Sequence, residues 1–214
     1  MCATSSFTAA RTCNGTGTCG AAPAPTACGR FVCNANGCLS SCTTNADCTS
    51  PLLCSGGACS QTLINCGGPV VESWVADVYF SGGALNGASG ATVDRTGLAN
   101  PAPEAVYQSG RVTAGTISYT IPGFTAGSSH VVRLHFNETY WPPVAGGVGA
   151  GNRTCNVSIN GTVVLPNFDI FAAAGAKNKA VIRPFTVNAN GAGAYVIQFM
   201  ATKDQCLING IEVQ

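Results

Sequence analysis

The segment Val131–Trp141, VVRLHFNETYW, alternates apolar and polar positions until it meets Pro142 and Pro143. Successive side chains of a strand point to opposite faces, so Val132, Leu134 and Phe136 share one side, and Val131, Arg133 and His135 the other. The pattern predicts a strand over Val131–Asn137 that hands two large aromatics, Tyr140 and Trp141, to a loop rich in Pro and Gly. Shorter runs of the same kind predict strands at Ile64–Cys66, Thr116–Ile121, Asn156–Ile159, Val163–Leu165, Ala180–Val187, Tyr195–Met200 and Leu207–Val213. Pairs such as Pro122-Gly123, Asn160-Gly161, Asn190-Gly191 and Asn209-Gly210 supply turn signals between or beside them. No stretch keeps a 3.6-residue apolar period over ten residues, so helix is expected to be scarce, with one turn at Ala172–Ala176. Short strands at such spacing argue an all-β sandwich rather than βαβ units. Val78–Gly110 has no clear strand pattern and reads as a long loop, and the glycines of Val144–Gly151 predict a flexible segment.

Residues 1–60 follow another logic. Phe7, Phe31, Val32, Leu39, Leu52 and Leu53 are nearly all of their large apolar side chains, too few for a core that offsets chain entropy. Ten of the 13 cysteines lie here, between Cys2 and Cys59. Zinc sites pair thiolates at short spacing, and this stretch has no CxxC and no histidine. Disulfides are therefore favoured, and with them an oxidising compartment, extracellular or at the cell surface. The spacing does not give the connectivity of a five-bridge module. The phrase RTCNGTGTC and the cysteine rhythm around it resemble cysteine-rich repeats of large secreted bacterial proteins, which serve as spacers or interaction modules. Met1 is followed by no basic and then apolar leader, so a disulfide-rich chain of this kind is expected to be part of a larger multi-domain protein.

Charge narrows the function. Nine per cent of residues are charged and the net charge is +1, so the basic stripe of a nucleic-acid binder is missing. No apolar run reaches the ~18 residues that suggest a membrane span. After Ser60 there is no G-x-S-x-G and no H-E-x-x-H, and no EF-hand loop pattern appears, so neither a metal nor a cofactor is expected. A glycosidase needs two carboxylates astride a sugar bond, and no motif singles out such a pair, although Glu138 and Asp204 remain open. Aromatics at a strand end suit another chemistry. Sugar C–H groups pack on a flat ring while hydroxyls bond carboxylates or amides.

The ordered phrases INCGG at Ile64–Gly68, NPAPEAVYQSGR at Asn100–Arg111, ISYTIPG at Ile117–Gly123, VRLHFNETYW at Val132–Trp141, NVSINGTVVLPNFDIF at Asn156–Phe171 and INGIEV at Ile208–Val213 resemble malectin domains across residues 63–214. The resemblance implies a galactose-binding-like jelly-roll β-sandwich following a disulfide-rich module at 1–60. It also implies a non-catalytic module that binds glucose-type oligosaccharides through an aromatic face. The family's aromatic pair falls on Tyr140 and Trp141 and its binding aspartate on Asp204. Arg111 and Glu138 match further family positions and join the candidate contacts. Two family tyrosines have no counterpart: none lies near Gly90, and Val112 stands after the Gln108–Arg111 phrase. Among Cys66, Cys155 and Cys206, a bridge between Cys155 and Cys206 is expected, leaving Cys66 to meet the N-terminal module or stay buried as a thiol. The alternative function is an adhesion or spacer protein whose jelly roll makes protein contacts without binding sugar.

Overall fold

The computed structural model describes residues 1–214 except 4–5, 50–51, 56, 88 and 143–146, and at 55 and 60 the backbone alone. Pro143 and the first part of the glycine-rich 144–151 segment thus lie outside the described residues. The chain forms two compact units, 1–61 and 62–214.

The first unit has little regular structure. Its strands Cys2–Ala3, Ser6–Phe7, Thr26–Ala27, Cys33–Asn34 and Gly37–Cys38 are two residues each, and Leu53–Ser55 has three. Five disulfides close it: Cys2–Cys33, Cys13–Cys19, Cys28–Cys38, Cys42–Cys54 and Cys48–Cys59. Its buried apolar positions among the described residues are Leu52 and four of those cysteines, so sulfur replaces the aliphatic core the sequence lacks. The Sγ atoms of Cys42, Cys48 and Cys59 lie within 4.8 Å of one another, as metal ligands would. All three are spent in disulfides, which leaves no thiolate to hold an ion. The Asp47 carboxylate accepts from the backbone N–H of Thr43 and Thr44 and fixes the loop after Cys42. Those N–H donors hold its pKa below the ordinary aspartate value.

The second unit is a galactose-binding-like jelly-roll β-sandwich. Its strands are β1 (Ala58–Asn65, which enters the unit at Thr62), β2 (Phe80–Ser81), β3 (Ala84–Asn86), β4 (Gly110–Thr113), β5 (Thr116–Ile121) and β6 (Ser129–Asn137). There follow β7 (Thr154–Ile159), β8 (Thr162–Phe168), β9 (Ala180–Asn188), β10 (Tyr195–Lys203), β11 (Cys206–Ile208) and β12 (Gly210–Val213). Two short helices are α1 (Glu104–Gln108) and α2 (Ile170–Ala174). One sheet runs β8-β7-β10-β5-β2, the other runs β9-β6-β12-β1 within this unit, and a small third sheet runs β11-β4-β3. All these pairs are antiparallel.

Period-two patterning decides what enters the core. On β5, Ile117, Tyr119 and Ile121 are buried while Thr116, Ser118 and Thr120 point away. Phe136 of β6 meets Phe199 of β10 with ring centroids 6.3 Å apart, which joins the two large sheets. The β7–β8 hairpin turns on Asn160 and Gly161, both at positive φ (50° and 83°), as a two-residue hairpin loop demands.

Two expectations need correction. The predicted strand over Leu207–Val213 is two strands: β11 pairs with β4, and β12 pairs with β6 and β1. Asn209 breaks the run because its side chain accepts from Asn137 N–H and donates to the carbonyls of Tyr107 and Ser109. Val78–Gly110 is not one loop, since it contains β2, β3 and α1. These elements are two to five residues long, too short to reveal a period. Both faces of β6 are covered, since Arg133 and His135 are buried as well as Leu134. Trp74 packs edge-on to the His135 ring at 5.1 Å, and Tyr107 of α1 lies beside it.

Beneath that cover is a closed polar chain. Tyr107 Oη accepts from Ala102 N–H, so its own proton points to His135 Nδ1, 2.9 Å away. The remaining ring N–H, on Nε2, donates to Glu212 Oε2, which also accepts from Arg133 Nη1 at 2.8 Å. A neutral imidazole satisfies every partner. Burial holds the His135 pKa below its ordinary value despite the Glu212 carboxylate, and holds the Tyr107 phenol up at about 12.

Candidate functional site

The site grows out of the end of β6. After Asn137 the chain turns on Glu138, whose Oε1 accepts from the backbone N–H of Tyr140 at 2.8 Å and of Trp141 at 3.1 Å. The carboxylate is buried, only 1% exposed, and paired with Arg153 Nη1 at 3.3 Å. Arg153 immediately precedes β7, and its Nε lies 3.5 Å from Oδ2 of Asp204, which follows β10 in a left-handed conformation (φ 56°). Asp204 in turn accepts from Trp141 Nε1–H at 3.0 Å. The order Glu138–Arg153–Asp204–Trp141 thus ties three chain segments into one constellation.

Above it the Tyr140 and Trp141 rings meet edge to face, with centroids 5.1 Å apart and planes at 89°. Tyr140 is 53% exposed, unusual for a ring of its size in this chain. Tyr140, Trp141, Arg153, Asp204, Asn86 and Gln205 line a recess of about 310 Å³, near the lower end of the ~300–1,000 Å³ typical of small-molecule sites. Asn86, at the end of β3, donates to Thr139 Oγ1 at 3.2 Å and so pins the turn between Glu138 and Tyr140. The disulfide Cys155–Cys206 fastens β7 to β11, two residues beyond Arg153 and Asp204 respectively.

The recess offers an aromatic face, an amide from each of Asn86 and Gln205, and a carboxylate whose Oδ1 carries no hydrogen bond among the described residues. That set can stack an apolar ring face and bond its hydroxyls. It does not provide paired acid and base groups, because Glu138 is consumed by two N–H donors and a guanidinium.

Of the five residues singled out as contacts, Tyr140, Trp141 and Asp204 come together on this one concave surface. Glu138 lies beneath it and acts through the turn. Arg111 does not line it: its Nε donates to Asp77 Oδ2 at 2.7 Å, its Nη1 donates to the carbonyls of Gly82 and Gly83, and its guanidinium carbon sits 3.4 Å from the Phe80 ring centroid. With 7% of its side chain exposed, Arg111 is held as a buried cation by these partners. Tyr119 Oη donates to the other oxygen of Asp77. The free thiol of Cys66 is fully buried, and burial pushes its pKa well up. The sequence reading missed Arg153, Asn86 and Gln205. Arg153 was within reach, because Arg153 and Asp204 each stand two residues before one partner of the expected Cys155–Cys206 bridge.

Several solved structures share the fold. The ectodomain of ANX2 from Arabidopsis thaliana is 18% identical over 72% of this chain and 49% of its own, with a TM-score of 0.61. The β-glucuronidase of Bacteroides uniformis is 19% identical over 72% of this chain but 18% of its own, with a TM-score of 0.55. The plant receptor-like kinase FER, in a complex with the plant peptide RALF23 and LLG2, is 27% identical over 72% of this chain and 39% of its own, with a TM-score of 0.52. The chain therefore spans less than half the length of each of these three. No curated protein matches it. The family model for the malectin domain matches residues 60–214, and the chain belongs to the malectin domain family.

Proposed function

We propose that residues 62–214 are a non-catalytic carbohydrate-binding module for glucose-type oligosaccharides. The observation that carries this reading is the exposed Tyr140 ring set edge-on to a Trp141 whose indole N–H is fixed by Asp204. An exposed ring costs free energy in water and repays it when a sugar face covers it. The adjacent carboxylate and amides supply the acceptors and donors that hydroxyls require. Five disulfides in the first unit support an extracellular or cell-surface setting, with that unit as a spacer or interaction module of the secreted bacterial type in a larger protein.

The experiment is a glycan array probed with the intact chain and with Trp141→Ala. Selective signal on glucose oligosaccharides that fades in the variant supports the proposal, and silence of the intact chain defeats it. A second reading, protein contact without sugar, draws on the FER structure, whose complex contains a peptide. It predicts a partner whose binding survives loss of both Tyr140 and Trp141.

A further inference from the structure

The outer face of the sheet β8-β7-β10-β5-β2 holds a second shallow recess, about 140 Å³, lined by Thr116, Asn156, Ser158, Val163, Gln198 and Met200. Strand register explains its order. Asn156 and Thr116 stand on either side of Met200 in one cross-strand row, and Ser158 and Ser118 on either side of Gln198 in the next. Neighbouring strands lie ~4.8 Å apart, so each row offers polar groups at that interval around a central side chain. Met200 is 49% exposed and Val163 55%, which gives the recess an apolar floor and edge between hydroxyls and amides. The strand positions facing this recess carry no charge, so it has no means of selecting an ionic partner.

The position of this face gives it meaning. Arg153 immediately precedes β7 and Asp204 immediately follows β10, and these two strands carry Asn156, Ser158, Gln198 and Met200. The aromatic recess and the sheet face therefore lie along the same pair of strands, linked by the outward pair Thr154 and Thr202, whose hydroxyls bond at 2.8 Å. From Thr154 to Ser158 the strand advances roughly 13 Å.

We infer that the sheet face is a second carbohydrate subsite that takes the continuation of a neutral, extended glucan held at its end by Tyr140 and Trp141. This rests on the sugar-binding reading of the aromatic recess. A neutral glycan is the occupant that matches uncharged hydroxyls, amides and a thioether floor. A peptide or nucleic acid would meet no counter-charge there.

Titration calorimetry of the intact chain with maltose and with maltoheptaose tests the inference. The expected result is that maltoheptaose binds at least about tenfold more tightly than maltose. The paired substitution Gln198→Ala with Ser158→Ala should remove most of that gain, about tenfold for two neutral hydrogen bonds, and leave maltose affinity unchanged. Both side chains lie on the surface of the sheet, and an unchanged melting temperature verifies the fold of the variant. Equal affinity for the two sugars, or a length gain that survives the paired substitution, overturns this inference while leaving the aromatic recess intact. Failure of both sugars to bind overturns both readings for α-glucans.

Discussion

The indole N–H of Trp141 donates to Asp204 Oδ2 across 3.0 Å, joining residues 63 positions apart at the rim of the sandwich. The bond fixes the ring plane, and the ring plane is what a sugar would stack upon. Without it Trp141 would keep its area but lose its orientation. Trp141→Ala is expected to cost about 2 kcal/mol of glycan binding, roughly 30-fold, with the melting temperature unchanged. Asp204→Asn should cost less, about fivefold, because an amide oxygen can still accept the indole proton. Titration of each variant against the best array ligand measures both, and equal losses would make the Asp204 carboxylate as large a contributor as the ring.

Glu138 and Arg153 form the buried base on which that rim rests, with Glu138 1% exposed and Arg153 6%. Glu138→Gln leaves Arg153 without its main counter-ion and weakens the acceptor of two backbone N–H groups. Loss of one partner of a buried pair typically costs ~3–5 kcal/mol. The expected outcome is lower stability in urea together with weaker glycan binding, even at temperatures where the variant is fully folded. Weaker binding at wild-type stability would instead make Glu138 a direct ligand.

How far the sequence discloses this arrangement depends on the length of each element. Ser129–Asn137 and Tyr195–Lys203 are nine residues long, and their alternation announces them. Phe80–Ser81 and Ala84–Asn86 are two and three residues long, and tertiary pairing with β5 and β4, not pattern, makes them strands. The site divides in the same way. Tyr140 and Trp141 are legible because two aromatics ahead of Pro142 have no place in a continuing strand. Glu138 and Arg111 are less legible, because a charge in an apolar phrase looks the same in sequence whether it faces a ligand or a buried partner. Their buried partners, Asp77 and Arg153, lie 34 and 15 residues away.

His135 should make stability depend on pH in a defined window. Burial depresses its folded pKa below the ordinary ~6.5, outweighing the pull of Glu212, while Arg133 adds to the depression. Above about pH 6.5 both folded and unfolded chains hold a neutral ring, and the contribution is fully present. As pH falls below that value the unfolded chain binds a proton that the folded chain refuses, and stability is lost at up to about 1.4 kcal/mol per pH unit. Urea midpoints between pH 7.5 and 5.5 should fall for the wild type and flatten for His135→Gln. A His135→Gln slope as steep as the wild-type one would assign the dependence to another group.

The two units should respond differently to reduction. Residues 1–61 bury little besides Leu52 and cystine, and each bridge typically contributes ~2–4 kcal/mol. Residues 62–214 have an aromatic and aliphatic core of their own, with Cys155 and Cys206 both buried. Dithiothreitol is expected to make the first 61 residues sensitive to trypsin at Arg11 and Arg30 while a fragment of the second unit persists. Mass spectrometry of the digest measures this, and simultaneous loss of both units would mean that the sandwich relies on its single disulfide.

Arg111 separates a structural cation from a binding one. Its guanidinium satisfies Asp77 through Nε and Nη2, two carbonyls through Nη1 and the Phe80 face at once. Lysine keeps the charge but has neither the fork nor the plane. Arg111→Lys is expected to destabilise the sandwich by about 2–4 kcal/mol, since Asp77 and the carbonyls of Gly82 and Gly83 lose most of their donors in a buried setting. Glycan affinity measured well below the lowered melting temperature should match the wild type, because the guanidinium does not reach the aromatic recess. The opposite pattern, weak binding with normal melting, would return Arg111 to the binding surface and require the recess to extend toward β4.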